Sequence, residues 1–348
     1  MTAAEAKKQS KVIPNKRMTG VKEIDIKTSF TAADSIPIKV LLDKDVIHHA
    51  FTQSRLIPVH IQFLPTNKCN LNCKFCSCSE RDKAQEIDFG LAKKIINLCK
   101  QLGTKSVTIT GGGEPLLYKQ FNELIEYFWV KRIKIGLVSN GLLLHCAVPE
   151  TINKLTWCRI SNSDERSFND VYKKKLSNVV NAAPDVDWAF SHVVSTAPNI
   201  DEIIKVIDFA NEHHFTHVRL VSDLFQPESV DMQRLKTKIL QKGLDDSKVI
   251  YQERKAYARG GDCYIGYLKP LIGADAKVYA CCGVQYALER PSKNLPEELC
   301  LGEALDMENI IARSSEPLNG TICSKCYYMN YNILLKGLLK EVEHKEFV

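Results

Sequence analysis

No stretch of this sequence comes near the ~18 consecutive apolar residues that a membrane-spanning helix needs. Its opening, MTAAEAKKQSKVIPNKR, has no apolar centre of the kind a secretory signal carries. Both absences lead to the expectation of a cytoplasmic protein with no membrane contact. Structural disulfides are then not expected, because the cytosol keeps thiols reduced. The 13 cysteines are also odd in number, which suits full pairing poorly. Nor are staples needed, since 348 residues with 45% hydrophobic and 25% charged content can bury an ordinary core. Charge of one sign is modest, with a net of +6. Lys7, Lys8, Lys11, Lys16 and Arg17 make a basic start that reads as a solvated tail with a mild bias toward anionic partners.

What is present is a rhythm. Residues 1–20 read as a polar arm, and 21–55 as short apolar alternations able to add strands or a helix. Six β-rich apolar runs follow, at 59–64, 106–110, 134–139, 156–161, 188–195 and 217–222. Segments of helical spacing separate them, such as 89–103, 121–129 and 201–214. Strands alternating with helices predict βαβ units and a parallel sheet, an α/β fold. Six repeats suit a partial (β/α)6 TIM-like barrel better than a closed eight-stranded one. Beyond about residue 245 the rhythm stops. Residues 263–282 read as a hairpin around a Gly-Ala-Asp turn, and a final amphipathic helix begins at Tyr331. The expected division is an N-terminal arm and extension at 1–56, a barrel at 57–245 and a small domain at 246–348 with its own metal.

In a parallel barrel the site forms at the C-terminal ends of the strands. There the sequence is least ordinary. Cys69, Cys73, Cys76 and Cys78 follow the first strand, TGGGEP (110–115) the second, SNG (139–141) the third and SNSDE (161–165) the fourth. The spacing Cys69-x3-Cys73-x2-Cys76 supplies three thiolates and assures no fourth. Structural zinc wants four ligands, commonly two Cys-x2-Cys pairs. An iron–sulfur cube held by three cysteines leaves one iron open to a small molecule. The glycine run lacks the Gly-Lys-Ser/Thr of a phosphate loop, and Leu116 stands where a dinucleotide fingerprint needs its third glycine.

The cysteine triad with Phe75 before its last member, at the end of a first barrel strand, resembles the radical S-adenosylmethionine (SAM) superfamily. TGGGEP matches that superfamily's Gly-Gly-Glu motif, and the similarity spans 57–245. The resemblance implies a [4Fe–4S] cluster on Cys69, Cys73 and Cys76, with SAM bound at the open iron. It further implies reductive cleavage of SAM to a 5′-deoxyadenosyl radical, which abstracts a hydrogen atom from substrate, with the protein orienting the cofactor. A flavodoxin- or ferredoxin-type protein would donate the electron. By the same resemblance Gly112, Gly113 and Glu114 hold the SAM amino group. Ser139, Asn140 and Ser161 reach its ribose or carboxylate, and Lys173 or Lys174 pairs with that carboxylate. Cys78 is either a small loop residue or a hydrogen-atom donor near substrate.

Cys263-x17-Cys281 with the later pair Cys323-x2-Cys326 resembles the twitch form of the SPASM-like auxiliary-cluster domain, which binds a second [4Fe–4S] cluster; Cys282 and Cys300 are substitutes or bystanders. Four thiolates saturate such a cluster and suit it to electron transfer, as in oxidation of a substrate radical. That count sets the chain apart from the molybdopterin-pathway GTP cyclase, whose auxiliary iron is open. Cys99, Cys146 and Cys158 read as core. The expected substrate is a small polar molecule, a sugar, aminocyclitol or nucleoside derivative. The segment before the first strand is too short for the leader-binding domain of peptide-modifying relatives. A nucleic-acid base modifier is the alternative, with Tyr327 and Tyr328 as a stacking pair. Redox-neutral epimerisation and a metal-bearing sensor without turnover are the further rivals.

Overall fold

The computed structural model describes residues 32–223, 225–226, 229–252, 259–288, 290–324, 326–340 and 343–344. In β1 (His60–Phe63) Ile61 and Phe63 are buried while His60 and Gln62 face the other side, half-buried. This two-residue period gives one face to the helices and one to the barrel interior. β2 (Ser106–Ile109), β3 (Lys134–Ser139), β4 (Trp157–Ser163), β5 (Asp187–Val194), β6 (His217–Ser222) and β7 (Val249–Gln252) follow, each parallel to the one before.

Helices occupy the crossovers: α3 (Phe89–Gln101), α4 (Phe121–Val130), α5 (Pro149–Ile152), α6 (Asp170–Ala182), α7 (Ile200–Glu212) and α8 (Met232–Leu240). Side-chain oxygens of Asp88, Asn169, Asn199 and Asp231 cap α3, α6, α7 and α8, accepting amide hydrogens the first turn leaves orphaned. The helix-facing side of the sheet carries the aromatic core. Phe190 stacks on Phe215 with centroids 4.6 Å apart, and Phe168 and Phe209 meet Phe190 edge-on.

Two helices precede the sheet, α1 (Ala32–Leu42) and α2 (Lys44–Gln53), so 36–42 is helical. The basic start and 21–30 lie outside the described residues. The parallel sheet also runs one strand further than six repeats: β7 pairs with β6 beyond residue 245.

The C-terminal part continues the same sheet. β8 (Asp262–Cys263) and the short α9 (Ile265–Leu268) lead into β9 (Leu271–Ile272), which pairs in parallel with β1. The hairpin is therefore shorter than 263–282, with β9 turning into β10 (Lys277–Tyr279). Among the described residues β11 (Cys300–Glu303) completes a ten-stranded sheet ordered β11-β10-β9-β1-β2-β3-β4-β5-β6-β7. α10 (Met307–Ala312) and β12 (Leu318–Asn319) come next, and β12 pairs with β8. The final helix α11 (Met329–Leu339) packs against α1 and α2. Among the described residues no helix is long and apolar enough to cross a membrane.

Phe190 is fully buried at the centre of the aromatic cluster. Phe190→Ala should destabilise the fold by about 3–5 kcal/mol, read as a fall in thermal midpoint by circular dichroism.

Candidate active site

Because β1 to β4 are parallel, their C-terminal ends open on one edge, and the loops singled out in the sequence gather there. After β1 the chain winds in turns: the Cys76 amide donates to the Cys73 carbonyl (3.1 Å) and Ser79 to Cys76 (3.2 Å). The winding keeps three sulfurs within electrostatic reach. Burial pushes the Cys69 and Cys73 thiols up, and the charge of Cys76 pushes both further. Cys76 is raised by the hydrogen bond it shares with Cys78, then by burial. Bound iron stabilises such thiolates, which the loop alone disfavours. Among the described residues no three His, Cys, Asp or Glu side chains converge as a site for one ion. A cube gives each cysteine a separate iron, so it does not require that convergence, and this donor set fits it.

The glycine loop after β2 rests directly on the start of the cysteine loop. A Cβ on Gly112 would collide with Asn67 Oδ1, and one on Gly113 with the Lys68 carbonyl oxygen. The Glu114 amide donates to that Lys68 carbonyl (2.7 Å). The Glu114 carboxylate, 2% exposed, accepts from Ser139 Oγ (2.7 Å), the Asn140 amide (2.7 Å) and the Leu116 amide (3.2 Å). Burial raises its pKa while these donors pull it back. About four lone-pair positions on a carboxylate leave one acceptor site over. Asn140 Nδ2 then donates to Asn70 Oδ1 (2.7 Å) in the cysteine loop. Asn70, Asn140, Ser139 and Glu114 thus tie three strand ends together.

Ser161 lies inside β4 with its side chain toward the interior, because the strand continues to Ser163. Its carbonyl accepts from Arg166 Nη2 (3.2 Å). The Arg166 guanidinium also lies over the Tyr172 ring, 5.4 Å from its centroid, and its charge lowers the pKa of Glu114 and of Cys73. Lys174 is not brought to this mouth. It is exposed on α6, two residues past the buried Tyr172 and so about 200° around the helix. Lys173 pairs with Asp170 (3.6 Å).

Cys78 is buried. Its Sγ donates to Gln285 Oε1 (3.0 Å) and lies 3.8 Å from the Gly111 carbonyl. Gln285 sits in the turn that follows Cys281, so the two cysteine regions touch here.

β8–β12 pairing aligns Cys263 with Leu318, and the Gly260 amide donates to the Cys323 carbonyl (2.9 Å). Burial pushes the Cys263 thiol up to about 12, with the charges of Cys326 and Cys323 adding to it. Cys281 is raised by its hydrogen bond with Cys282, by burial and by the Cys282 and Cys263 charges. Cys263 thus lies within electrostatic reach of Cys281, Cys323 and Cys326. Cys282 turns to the Tyr328 hydroxyl (3.3 Å), and Cys300 is on β11. Tyr328 is buried in the core, so this pair offers no two-ring surface for a base. Cys99 and Cys158 are buried as expected, but Cys146 is exposed beside His145. Its place in a short turn after β3 overrides the apolar pattern.

Sequence reasoning passed over Arg166, Asn70 and Gln285. Arg166 directly follows the SNSDE run, and a basic residue at that strand end was the available signal. The other two act through partners far along the chain, which no local spacing reveals.

Residues 63–159 match the Radical SAM superfamily model. The chain is 32% identical over 145 residues to an S-adenosylmethionine-dependent nucleotide dehydratase of Selenomonas ruminantium, covering 40% of this chain and 52% of that protein. It is 23% identical over 264 residues to a GTP 3′,8-cyclase of Helicobacter pylori, covering 66% of this chain and 82% of that one. The first of these matches takes in about half of the relative's length. GTP cyclases are thus among the sequence relatives, although the auxiliary ligand count had set them apart. In fold the chain is similar to Streptococcus suis SuiB bound to S-adenosylmethionine, at 18% identity and a TM-score of 0.57, covering 86% of this chain and 80% of that one. With its cysteine triad and glycine loop joined at the mouth of a partial barrel, the chain carries a Radical SAM superfamily domain over residues 63–159.

Proposed function

We propose that this enzyme takes a hydrogen atom from a small polar substrate, a nucleotide or nucleoside derivative in preference to a free sugar or aminocyclitol, and completes an oxidation. The observation that carries the reading is the bonded chain Asn70–Asn140–Glu114, which holds a three-thiol loop and a glycine loop in one fixed relation. The names of the two curated relatives, a nucleotide dehydratase and a GTP cyclase, favour the nucleotide class. When bound, the cluster and SAM supply a carbon-centred radical able to attack an unactivated C–H bond.

The remaining work belongs to the chain. Cys69, Cys73 and Cys76 hold the cluster. Gly112 and Gly113 admit a ligand close to backbone, and the last free acceptor position of Glu114 receives the SAM ammonium. Ser139, Asn140 and Ser161 line the approach to its polar atoms. Arg166 takes the carboxylate-pairing role that the resemblance gave to Lys174. Cys263, Cys281, Cys323 and Cys326 hold a saturated auxiliary cluster suited to accept an electron, while a flavodoxin- or ferredoxin-type protein supplies the first one. Cys78, facing Gln285 and Gly111, bridges the two cysteine regions and is not assigned hydrogen-atom donation.

Anaerobic incubation with dithionite and SAM should yield 5′-deoxyadenosine, and replacing Cys69, Cys73 and Cys76 together should abolish it. No product from cluster-replete enzyme would refute the reading. Cys323→Ala should spare SAM cleavage yet block completed turnover, and normal turnover in that variant removes the electron-acceptor role. Reconstituted enzyme should hold about eight irons per chain, as two cubes require. Arg166→Gln should raise the KM for SAM by roughly tenfold or more, the scale of one charge-assisted hydrogen bond, whereas Lys174→Gln should leave it unchanged.

A further inference from the structure

The barrel interior carries a cation that the radical chemistry does not use. On β4, Cys158 and Ile160 pack toward the helices, so strand alternation points Arg159 inward. Its guanidinium lies over the Trp157 ring, 5.3 Å from the centroid. A ring face satisfies none of the N–H donors, and Nε is sealed from solvent with no hydrogen-bond partner among the described residues. Among those residues no carboxylate contributes to its electrostatic surroundings.

The neighbours deepen the positive field. The register across β4, β5 and β6 sets Arg159 beside Ala189 and then His217. Arg219 also faces inward, its Nη2 donating to Ser191 Oγ (2.9 Å). Burial and the charges of Arg159 and Arg219 push the His217 pKa down to about 3, so it is neutral at pH 7. Arginine cannot shed its proton, and Arg159, half-buried with its Nε unpaired, leaves part of its charge unmatched. Such a group persists where an anion arrives to meet it.

We infer that Arg159, with Arg219 beside it, forms an anion site deep in the barrel that takes the phosphate of the substrate. The inference rests on the reading that the barrel interior holds the substrate. Arg159 stands four residues below Ser163 at the mouth, about 13 Å along a strand. An occupant with its reacting carbon near the mouth and its charge at that depth is elongated, as a nucleotide is and a free monosaccharide is not. Two guanidiniums on strands separated by β5 suit a polyphosphate, whose oxygens can engage both. One fork satisfies a lone carboxylate.

Titration calorimetry with inorganic pyrophosphate, GTP and guanosine on the reconstituted, SAM-loaded enzyme tests this. Pyrophosphate and GTP should bind the wild type, and Arg159→Gln should weaken both by roughly tenfold or more, with Arg159→Lys recovering part of the loss. Guanosine affinity should not change between wild type and Arg159→Gln. Without ligand, Arg159→Met should melt no lower than wild type, because it removes an unpaired cation and keeps the packing over Trp157. Wild type that fails to bind pyrophosphate, Arg159→Gln that binds it equally well, or Arg159→Met that melts well below wild type would each overturn the site. The same preparations report 5′-deoxyadenosine. Its formation without phosphate binding sinks this inference alone, while its absence sinks the radical reading.

Discussion

The architecture of the mouth depends on one close approach, the glycine loop against the first residues of the cysteine loop. Gly112 and Gly113 lie where any Cβ would strike Asn67 or Lys68, and the Glu114 amide fixes the contact on the Lys68 carbonyl. The buried Glu114 carboxylate is a strut, braced by Ser139, Asn140 and Leu116. A desolvated carboxylate is tolerable only because these donors replace water. Through Asn140 and Asn70 the strut reaches back to the cysteines. The cysteine loop and the glycine loop are therefore held by a single hydrogen-bonded unit spanning three strand ends.

A second constraint comes from the sheet. Since β9 pairs with β1, the C-terminal cysteines are anchored to the strand that launches the first cysteine loop. The Cys78–Gln285 contact closes that link at the top. Two cysteine-rich regions remote in sequence are thereby held by shared backbone hydrogen bonds.

Much of this was legible in the sequence because parallel α/β folds write their plan locally. β-rich apolar runs marked β1 to β6, helical spacing marked α3, α4 and α7, and parallel topology put four unusual loops on one edge. What stayed hidden depends on distant partners or on orientation. β7 (Val249–Gln252) falls beyond the last apolar run singled out in the sequence. Lys174 matched by position along the chain, but its direction is set by how α6 packs through Tyr172, Leu176 and Val180, which turns it outward. The pairing of β9 with β1 is a long-range event that no local pattern announces. Arg159 was unremarked for the same reason, since its isolation is visible only once the facing strands are in place.

The central claim is that the first cluster has one iron left for SAM. Mössbauer spectroscopy of enzyme reconstituted with 57Fe, with and without SAM, addresses it directly. The account predicts that SAM changes the coordination signature of a single iron and leaves every other site as it was. A spectrum that SAM does not alter, or zinc in place of iron on Cys69, Cys73 and Cys76, would contradict it.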